Sequence, residues 1–199
     1  MSYVLIIGAK SDIAKSTAME YAKNEYEIYL AARNSSELKD DANDLSVRTE
    51  QNIKLLELDI LDYKNHQKFY DDLDEKPLGV ITAVGYLGEQ KNAALDFKVS
   101  QKIIDTNYTG VVSILNIIAN DFETRKSGFI VGISSVAGDR GRKSNYIYGS
   151  AKAALSTYLS GLRNRLYESS VLVMTLKPAF VTRATTEAMD HPEQITTHP

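Results

Sequence analysis

Short apolar runs alternate with longer amphipathic stretches along this 199-residue chain. Continuous apolar runs of this length are typical of strands in a parallel sheet that helices cover on both faces. The pattern predicts strands at 4–7, 27–32, 53–58, 79–84, 129–134 and 171–176. It predicts helices at 13–24, 35–50, 63–73, 100–124 and 146–169.

This alternation predicts a Rossmann-type α/β fold, with a doubly wound parallel sheet as the middle of three α/β/α layers. Right-handed crossovers give the strand order 3-2-1-4-5-6. Ligands of such sheets bind beyond the carboxyl ends of the strands, near the switch between strands 1 and 4. We expect one domain over residues 1–199, and we expect a C-terminal segment to be missing because no closing element follows the sixth strand.

Composition argues against several kinds of site. Lys plus Arg number 23 against 26 for Asp plus Glu, so the net charge of −3 predicts no nucleic-acid partner. The chain has no cysteine, which excludes disulfides and thiolate chemistry, and its scattered histidines (His66, His191 and His198) do not favour a metal site. We see neither a leader peptide nor an apolar run of the roughly 18–20 residues that span a bilayer, so we expect a cytoplasmic protein.

The first strand runs directly into a glycine turn and a helix. Such a junction offers backbone N–H groups and a positive helix end to a pyrophosphate. The candidate residues for this phosphate site are Gly8, Lys10, Ser11, Asp12 and Ile13. Asp12 either lies near the phosphates or caps the helix and leaves Ser11 to face them. A plain helix N-terminus is the alternative interpretation of the whole segment.

The ends of the next strands carry further candidates for a nucleotide site. Arg33 follows strand 2, where an acidic residue would bind ribose hydroxyls, and an arginine can pair with a 2′-phosphate. The sequence therefore favours NADP(H) over NAD(H), unless Arg33 is an ordinary surface residue. Asp59, beside Ile60, is either an acceptor for the adenine amino group or a turn carboxylate. Gly85 would let the backbone approach the cofactor.

Tyr148 and Lys152 are four residues apart in a predicted helix, so their side chains lie on one face. An ammonium near a phenol stabilises the phenolate, which makes a tyrosine usable as an acid and base near neutral pH. Ser135 ends strand 5, and Asn107 interrupts a long helix with a residue of poor helix propensity. Taken singly, each feature also has an ordinary structural interpretation. Tyr148 and Lys152 could be a solvated pair, Ser135 a turn serine and Asn107 a helix-kink residue.

Taken in chain order, these features resemble the short-chain dehydrogenase/reductase family. The resemblance runs from Gly8 to Thr182, and it includes a Pro-x-x-x-Thr segment at 178–182. The departures are Asp12 and Ala14 in the glycine turn, Thr82-Ala83-Val84-Gly85 where the family usually has Asn-Asn-Ala-Gly, and Ala179 where it usually has Gly.

The resemblance implies a role for each member of the catalytic set. Tyr148 would be the general acid/base at the substrate oxygen, and Lys152 would support it and hold the nicotinamide ribose. Ser135 would donate a hydrogen bond to the substrate oxygen. Asn107 would hold a water that relays protons to Lys152.

The resemblance also implies that the segment after strand 6 fixes the nicotinamide carboxamide. The residues concerned are Pro178, Val181 and Thr182. The resemblance therefore implies an NADP(H)-dependent oxidoreductase, which interconverts a secondary alcohol and a ketone. The alternatives are a catalytically silent NADP-binding redox sensor or partner subunit, and a sugar epimerase, which normally needs a longer substrate domain.

The loop before Tyr148 carries Arg140, Arg142 and Lys143, which suit a phosphate or carboxylate on the substrate, unless the loop is simply solvated. Segments 85–88, 107–109, 138–140 and 145–152 look like the family branch that contains the decaprenylphosphoryl-2-keto-ribose reductase. That likeness implies a lipid-linked keto-sugar substrate and transient membrane contact.

Helices 100–124 and 146–169 carry apolar residues on more than one face. In the family the two corresponding helices commonly pair between subunits, so the resemblance implies a homodimer or homotetramer. Deep burial within one subunit would produce the same pattern.

Overall fold

Six parallel strands form one sheet in the computed structural model, which describes residues 2–179. The strands are β1 Tyr3–Ile7, β2 Glu27–Ala32, β3 Ile53–Glu57, β4 Gly79–Thr82, β5 Gly128–Ile133 and β6 Val171–Leu176. Their order, β3-β2-β1-β4-β5-β6, confirms the predicted topology. Ile7 at the end of β1 is in register with Ala31 of β2 and Thr82 of β4, so these strands end at the same edge.

Helices cover both faces of the sheet. They are α1 Asp12–Lys23, α2 Lys39–Thr49, α3 His66–Asp71, α4 Gln90–Leu95, α5 Phe97–Ile104, α6 Gly110–Arg125 and α7 Tyr146–Leu166. Short 3-10 turns occur at Ser35–Leu38, Tyr63–Asn65, Val136–Gly138 and Tyr167–Ser169, and a π turn at Asp105–Thr109. None of the helices within residues 2–179 is long and apolar enough to cross a bilayer.

The core has two halves, one on each face of the sheet. Leu5 and Ile7 point to the side of α6 and α7, whereas Val4 and Ile6 point to the side of α1 and α2. All five residues of β1 are therefore buried. This two-sided burial is why the strands appear in sequence as unbroken apolar runs.

The predicted helix over 100–124 is not continuous, because the structure divides this region into three pieces: the end of α5, the π turn Asp105–Thr109 and α6. Two carboxylates cap the preceding short helices. Asp96 starts α5 and accepts a hydrogen bond from Lys98 N at 2.9 Å, and Glu89 starts α4 and accepts one from Asn92 N at 3.0 Å. The predicted helices at 35–50 and 63–73 likewise begin with 3-10 turns. The remaining boundaries differ from the prediction by two residues or fewer, except that the helix at 146–169 ends in a 3-10 turn.

Most of the apolar excess in the 100–124 region is buried within the subunit. Ile103, Val111, Ile114, Leu115 and Ile118 are each at most 1% exposed. Burial in one chain therefore accounts for much of the pattern that suggested an oligomer, and the homo-oligomer stays a prediction.

Candidate active site

The turn after β1 depends on Gly8. Its φ is +84°, and a Cβ there would lie 2.8 Å from Ala83 C and Val84 N. The N–H groups of Gly8 and Ala9 both donate to Ala31 O, at 2.9 and 3.2 Å. A glycine is therefore required where the β1 turn meets the segment that follows β4.

Ser11, rather than Asp12, caps α1. The Ser11 hydroxyl oxygen accepts from Ala14 N at 3.2 Å, and Asp12 is the first helical residue, which corrects the suggestion that Asp12 is the cap. Ala14 is fully buried between α1 and the sheet. The N–H groups of Asp12 and Ile13 have no intrahelical acceptor and make no hydrogen bond to the residues described. Both amides are available to an anion.

A cavity of about 580 Å³ lies at the carboxyl edge of the sheet, at the β1/β4 switch. Eight of the predicted cofactor residues line it: Gly8, Lys10, Ser11, Asp12, Arg33, Asp59, Ile60 and Gly85. Ile13 is not among the lining residues. Sequence reasoning missed several others, among them Asn34, Glu37, Tyr86, Lys102 and Thr106. Asn34 and Glu37 carry a usable signal, since they are polar and closely follow a buried strand.

Glu57 organises the loop after β2. Its two carboxylate oxygens accept from Asn34 N at 2.7 Å and Ser35 N at 2.8 Å, and these N–H groups hold the pKa of Glu57 below its usual value. Asn34 has the left-handed conformation, with φ 53° and ψ 54°. Arg33 lies immediately before this loop on the cavity wall, is exposed, and makes no hydrogen bond or ion pair to the rest of residues 2–179.

Asp59 has a structural partner as well as a place on the wall. One of its carboxylate oxygens accepts from Leu61 N at 3.0 Å, which is the geometry of a turn carboxylate. The side chain therefore closes its own turn while the residue lines the cavity.

Lys152 is buried under the ends of two strands, with 2% of the residue exposed. Its ammonium donates to Val84 O at 3.0 Å and to Ile133 O at 3.1 Å, and it lies 5.8 Å from the centre of the Tyr148 ring. Burial lowers the pKa of Lys152 to about 8, because a desolvated ammonium is disfavoured. Val84 and Gly85 line the cavity, so Lys152 adjoins it.

Two hydroxyls that sequence reasoning missed hold the backbone of Lys152. Ser134 Oγ donates to Lys152 O at 2.9 Å, Ser156 Oγ does so at 3.0 Å, and the two hydroxyls are 2.8 Å apart. Ser134 is the residue that follows β5, so this network ties α7 to the sheet at the turn that carries Lys152.

Ser135 begins the 3-10 turn over Val136–Gly138. Its Oγ accepts from Ala137 N at 3.1 Å, so the turn-serine interpretation holds in this geometry. Because a hydroxyl that accepts a hydrogen bond still has its own proton, Ser135 can donate to a substrate oxygen. The turn packs closely on α7: a Cβ at Gly149 would lie 2.5 Å from Ala137 O.

Asn107 is fully buried in the π turn and holds the loop after β4. Its Oδ1 accepts from Tyr86 N at 3.1 Å, and its Nδ2 donates to Tyr86 O at 2.7 Å and Ile103 O at 2.8 Å. Ile103 O is the carbonyl that Asn107 N would bind in a regular α-helix. The side chain competes for it, which explains why the helix is interrupted here.

The helix that carries Tyr148 and Lys152, α7, is capped from another element. Asn145, at the N-cap position of α7, makes no side-chain cap hydrogen bond. Instead Gln90 of α4 accepts from Ile147 N through Oε1 at 3.1 Å. Gln90 is a site residue that no local pattern indicates, because it is 57 residues away from its partner.

The substrate candidates and the C-terminal candidates are only partly placed. Arg140 and Lys143 are exposed and Arg142 is half-buried. Pro178 O accepts from Val136 N at 3.4 Å, so Pro178 lies beside the turn that follows Ser135. Val181 and Thr182 lie outside the described residues.

Comparison with known proteins agrees with this geometry. The model of the short chain dehydrogenase family matches residues 2–194. An uncharacterized oxidoreductase of Mycobacterium tuberculosis strain H37Rv is 35% identical over 189 residues, which cover 94% of this chain and 76% of the relative. The NADP-dependent 3-hydroxy acid dehydrogenase of Schizosaccharomyces pombe is 28% identical over 183 residues, which cover 89% of this chain and 71% of the relative.

Among solved structures, a short-chain dehydrogenase from Sphingobium yanoikuyae in complex with NADPH superimposes with a TM-score of 0.83 at 25% identity. The match covers 90% of this chain and 71% of that one. The chain therefore belongs to the short chain dehydrogenase family of oxidoreductases.

Proposed function

We propose that this chain is an NADP(H)-dependent oxidoreductase that interconverts a secondary alcohol and a ketone. The observation that carries the proposal is the position of Lys152. Its buried ammonium lies 5.8 Å from the Tyr148 ring and donates to Val84 O, on the wall of the cavity. The proposed proton-transferring tyrosine thus lies next to a lysine that adjoins a cavity of the size that small ligands and cofactors occupy, about 300–1,000 Å³.

The residues around the cavity fit a nicotinamide dinucleotide. Gly8 lets its turn approach Ala83 closely, where a side chain would collide, and the amide of Asp12 on the cavity wall is free to bind a pyrophosphate. Lys10 and Arg33 place positive charge on the wall. Such a cofactor would supply or accept the hydride, and the protein would supply position and electrostatics.

The chain's own residues account for the proton transfer. Tyr148 would donate a proton to the substrate oxygen during reduction and remove it during oxidation. Lys152 uses two of its three N–H donors on Val84 O and Ile133 O, which leaves one for Tyr148 or a ribose hydroxyl. Ser135 would donate to the same substrate oxygen as charge develops there.

Asn107 would act through position. Both N–H groups of its amide are used on Tyr86 O and Ile103 O, whereas Oδ1 accepts only one hydrogen bond, from Tyr86 N. The second lone pair of Oδ1 is therefore available to accept a hydrogen bond from the water that would relay protons to Lys152.

The preference for NADP(H) rests on Arg33, an exposed guanidinium that makes no ion pair within residues 2–179. It is supported by the NADP-dependent relative and by the NADPH-bound structural neighbour. Titration of the protein with NADPH and NADH, followed by nicotinamide fluorescence, tests this preference. Arg33→Ala is expected to weaken NADPH binding and to leave NADH binding unchanged; equal losses for both would contradict the assignment.

Tyr148→Phe tests the oxidoreductase function, because it removes the acidic proton and keeps the ring. Turnover is expected to fall by orders of magnitude while the affinity for NADPH stays the same. The matched control is Tyr146→Phe, an exposed tyrosine on the same helix, which should leave turnover unchanged. A Tyr148→Phe variant with normal turnover would overturn the mechanism, and cofactor binding with no turnover on any carbonyl would favour the silent sensor or partner subunit.

The proposed substrate is a keto-sugar carried on a polyprenyl phosphate. It is supported by the exposed charge of Arg140 and by half-buried Arg142 in the loop before Tyr148, together with the family branch that the sequence resembles. A cytoplasmic location with transient membrane contact belongs to the same proposal. Turnover of a soluble keto-sugar phosphate, but not of its unphosphorylated form, would support it, and equal turnover of both would contradict it.

A further inference from the structure

An ion pair lies on the wall of the cavity beside Arg33. Lys10 Nζ is 2.6 Å from Glu37 Oε2, with side chains 36% and 63% exposed. Both residues line the cavity. The ammonium holds the pKa of Glu37 below its usual value, so Glu37 is a carboxylate at neutral pH.

This pair changes the charge that a ligand meets at the end of β2. Lys10 and Arg33 would together present two positive charges, but Glu37 already neutralises one of them. The position of Glu37 is also held by Glu57. The Glu57 carboxylate accepts from the N–H groups of Asn34 and Ser35, at the start of the turn that carries Glu37.

We infer that Glu37 is a resident counter-ion of the cofactor site, which limits the preference for NADP(H) over NAD(H). This inference rests on the proposed function and names a residue that sets its cofactor specificity. A 2′-phosphate and the Glu37 carboxylate would compete for the same ammonium of Lys10, and two anions this close repel each other. A 2′-hydroxyl carries no charge and can donate a hydrogen bond to the carboxylate, so NADH would not meet this penalty.

Glu37→Gln keeps the size and the hydrogen-bonding capacity of the side chain and removes its charge. We expect the affinity for NADPH to rise about three- to tenfold, from release of Lys10 and loss of the repulsion, because a charge pair at an exposed site contributes only modestly to binding. The affinity for NADH should stay the same or fall. The readout is the dissociation constant of each cofactor by nicotinamide fluorescence, which needs no substrate.

The chain offers a matched control. Lys15 Nζ and Asp41 Oδ2 form a similarly exposed ion pair at 2.8 Å, and neither residue lines the cavity. Asp41→Asn changes the net charge by the same amount and should alter neither dissociation constant. Lys10→Met provides the second test, because without the ammonium Glu37→Gln should lose the part of its effect that comes from releasing Lys10.

The outcomes separate this inference from the proposal that it rests on. If the unmodified protein binds both cofactors and Glu37→Gln leaves their ratio unchanged, the counter-ion role is wrong and the oxidoreductase proposal stands. An equal gain for both cofactors, or a gain from Asp41→Asn, also overturns the inference, since it would reflect overall charge. If neither cofactor binds to the unmodified protein, the proposed function fails and the inference fails with it.

Discussion

The Lys152 ammonium donates to the main-chain oxygen of Val84 at 3.0 Å, between residues that are 68 positions apart in the chain. Val84 belongs to the wall of the cavity, and Lys152 lies on the helix that carries Tyr148. One hydrogen bond therefore connects the proposed cofactor site to the proposed proton-transfer site.

The buried ammonium of Lys152 should make stability depend on pH. Its pKa is about 8 in the folded chain against the ordinary lysine value of 10.5, so between these values the unfolded chain binds more protons. Unfolding free energy should therefore rise with pH across this window, by about 1–2 kcal/mol between pH 7.5 and 9.5. Urea denaturation at the two pH values measures the difference.

Lys152→Met should abolish this pH-dependent gain, and Lys143→Met, at an exposed position, should keep it. Burial raises the pKa of Tyr158 to about 12 and that of Tyr70 further. Above about pH 10 the unfolded chain loses these protons first, which lowers stability, so the measurements stay below pH 10. A gain that persists in Lys152→Met would show that the ammonium is not its source.

Ser134→Ala should loosen the turn of α7 that carries Lys152. The variant loses the hydrogen bond from the hydroxyl to Lys152 O and the contact of that hydroxyl with Ser156 Oγ, at a cost of about 1 kcal/mol in unfolding free energy. We expect turnover to fall several-fold while the affinity for NADPH stays the same. Ser150→Ala is the matched control, since that hydroxyl donates to Ile147 O in the same helix and is exposed; equal effects of the two variants would contradict a positioning role for Ser134.

Gln90→Ala should remove the cap of α7 and reduce turnover, with a loss of about 1 kcal/mol in unfolding free energy. Gln90→Glu keeps an acceptor for Ile147 N and should retain both properties. Adding Asn145→Asp to Gln90→Ala offers a cap from the N-cap position itself and should restore turnover in part. The capping explanation is wrong if Gln90→Glu is as damaged as Gln90→Ala.

Gly8→Ala should destabilise the chain and abolish cofactor binding. The added Cβ would lie 2.8 Å from Ala83 C at a φ of +84°, which no side-chain rotation relieves. We expect a loss of about 1–3 kcal/mol in unfolding free energy. Gly161→Ala is the opposite case. Gly161 lies inside α7, and apart from the neighbouring backbone of its own helix no atom lies within 4 Å of its Cβ position. The added methyl should therefore stabilise the chain by about 0.5–1 kcal/mol. Thermal denaturation of the two variants and NADPH titration of Gly8→Ala test both statements.

Local pattern was enough to predict the fold and much of the cavity. Strands buried on both faces must be apolar throughout, and parallel strands need helical crossovers, so the pattern predicts a doubly wound parallel sheet, for which 3-2-1-4-5-6 is a common strand order. The carboxyl ends of these strands then place Gly8, Arg33, Asp59 and Gly85 at one edge, where the structure finds them. Two local details differ from the prediction: Ser11 rather than Asp12 caps α1, and the long helix around Asn107 is interrupted by the π turn Asp105–Thr109.

Only the tertiary structure identified the partners that hold the site together. Glu37 pairs with Lys10 across 27 residues, Ser134 with Lys152 across 18, and Gln90 with Ile147 across 57. Each of these contacts joins two different elements and leaves no periodicity at either end. A sequence pattern records which face of an element is buried, whereas the pairing of polar side chains across elements depends on distances that exist only after the sheet has formed.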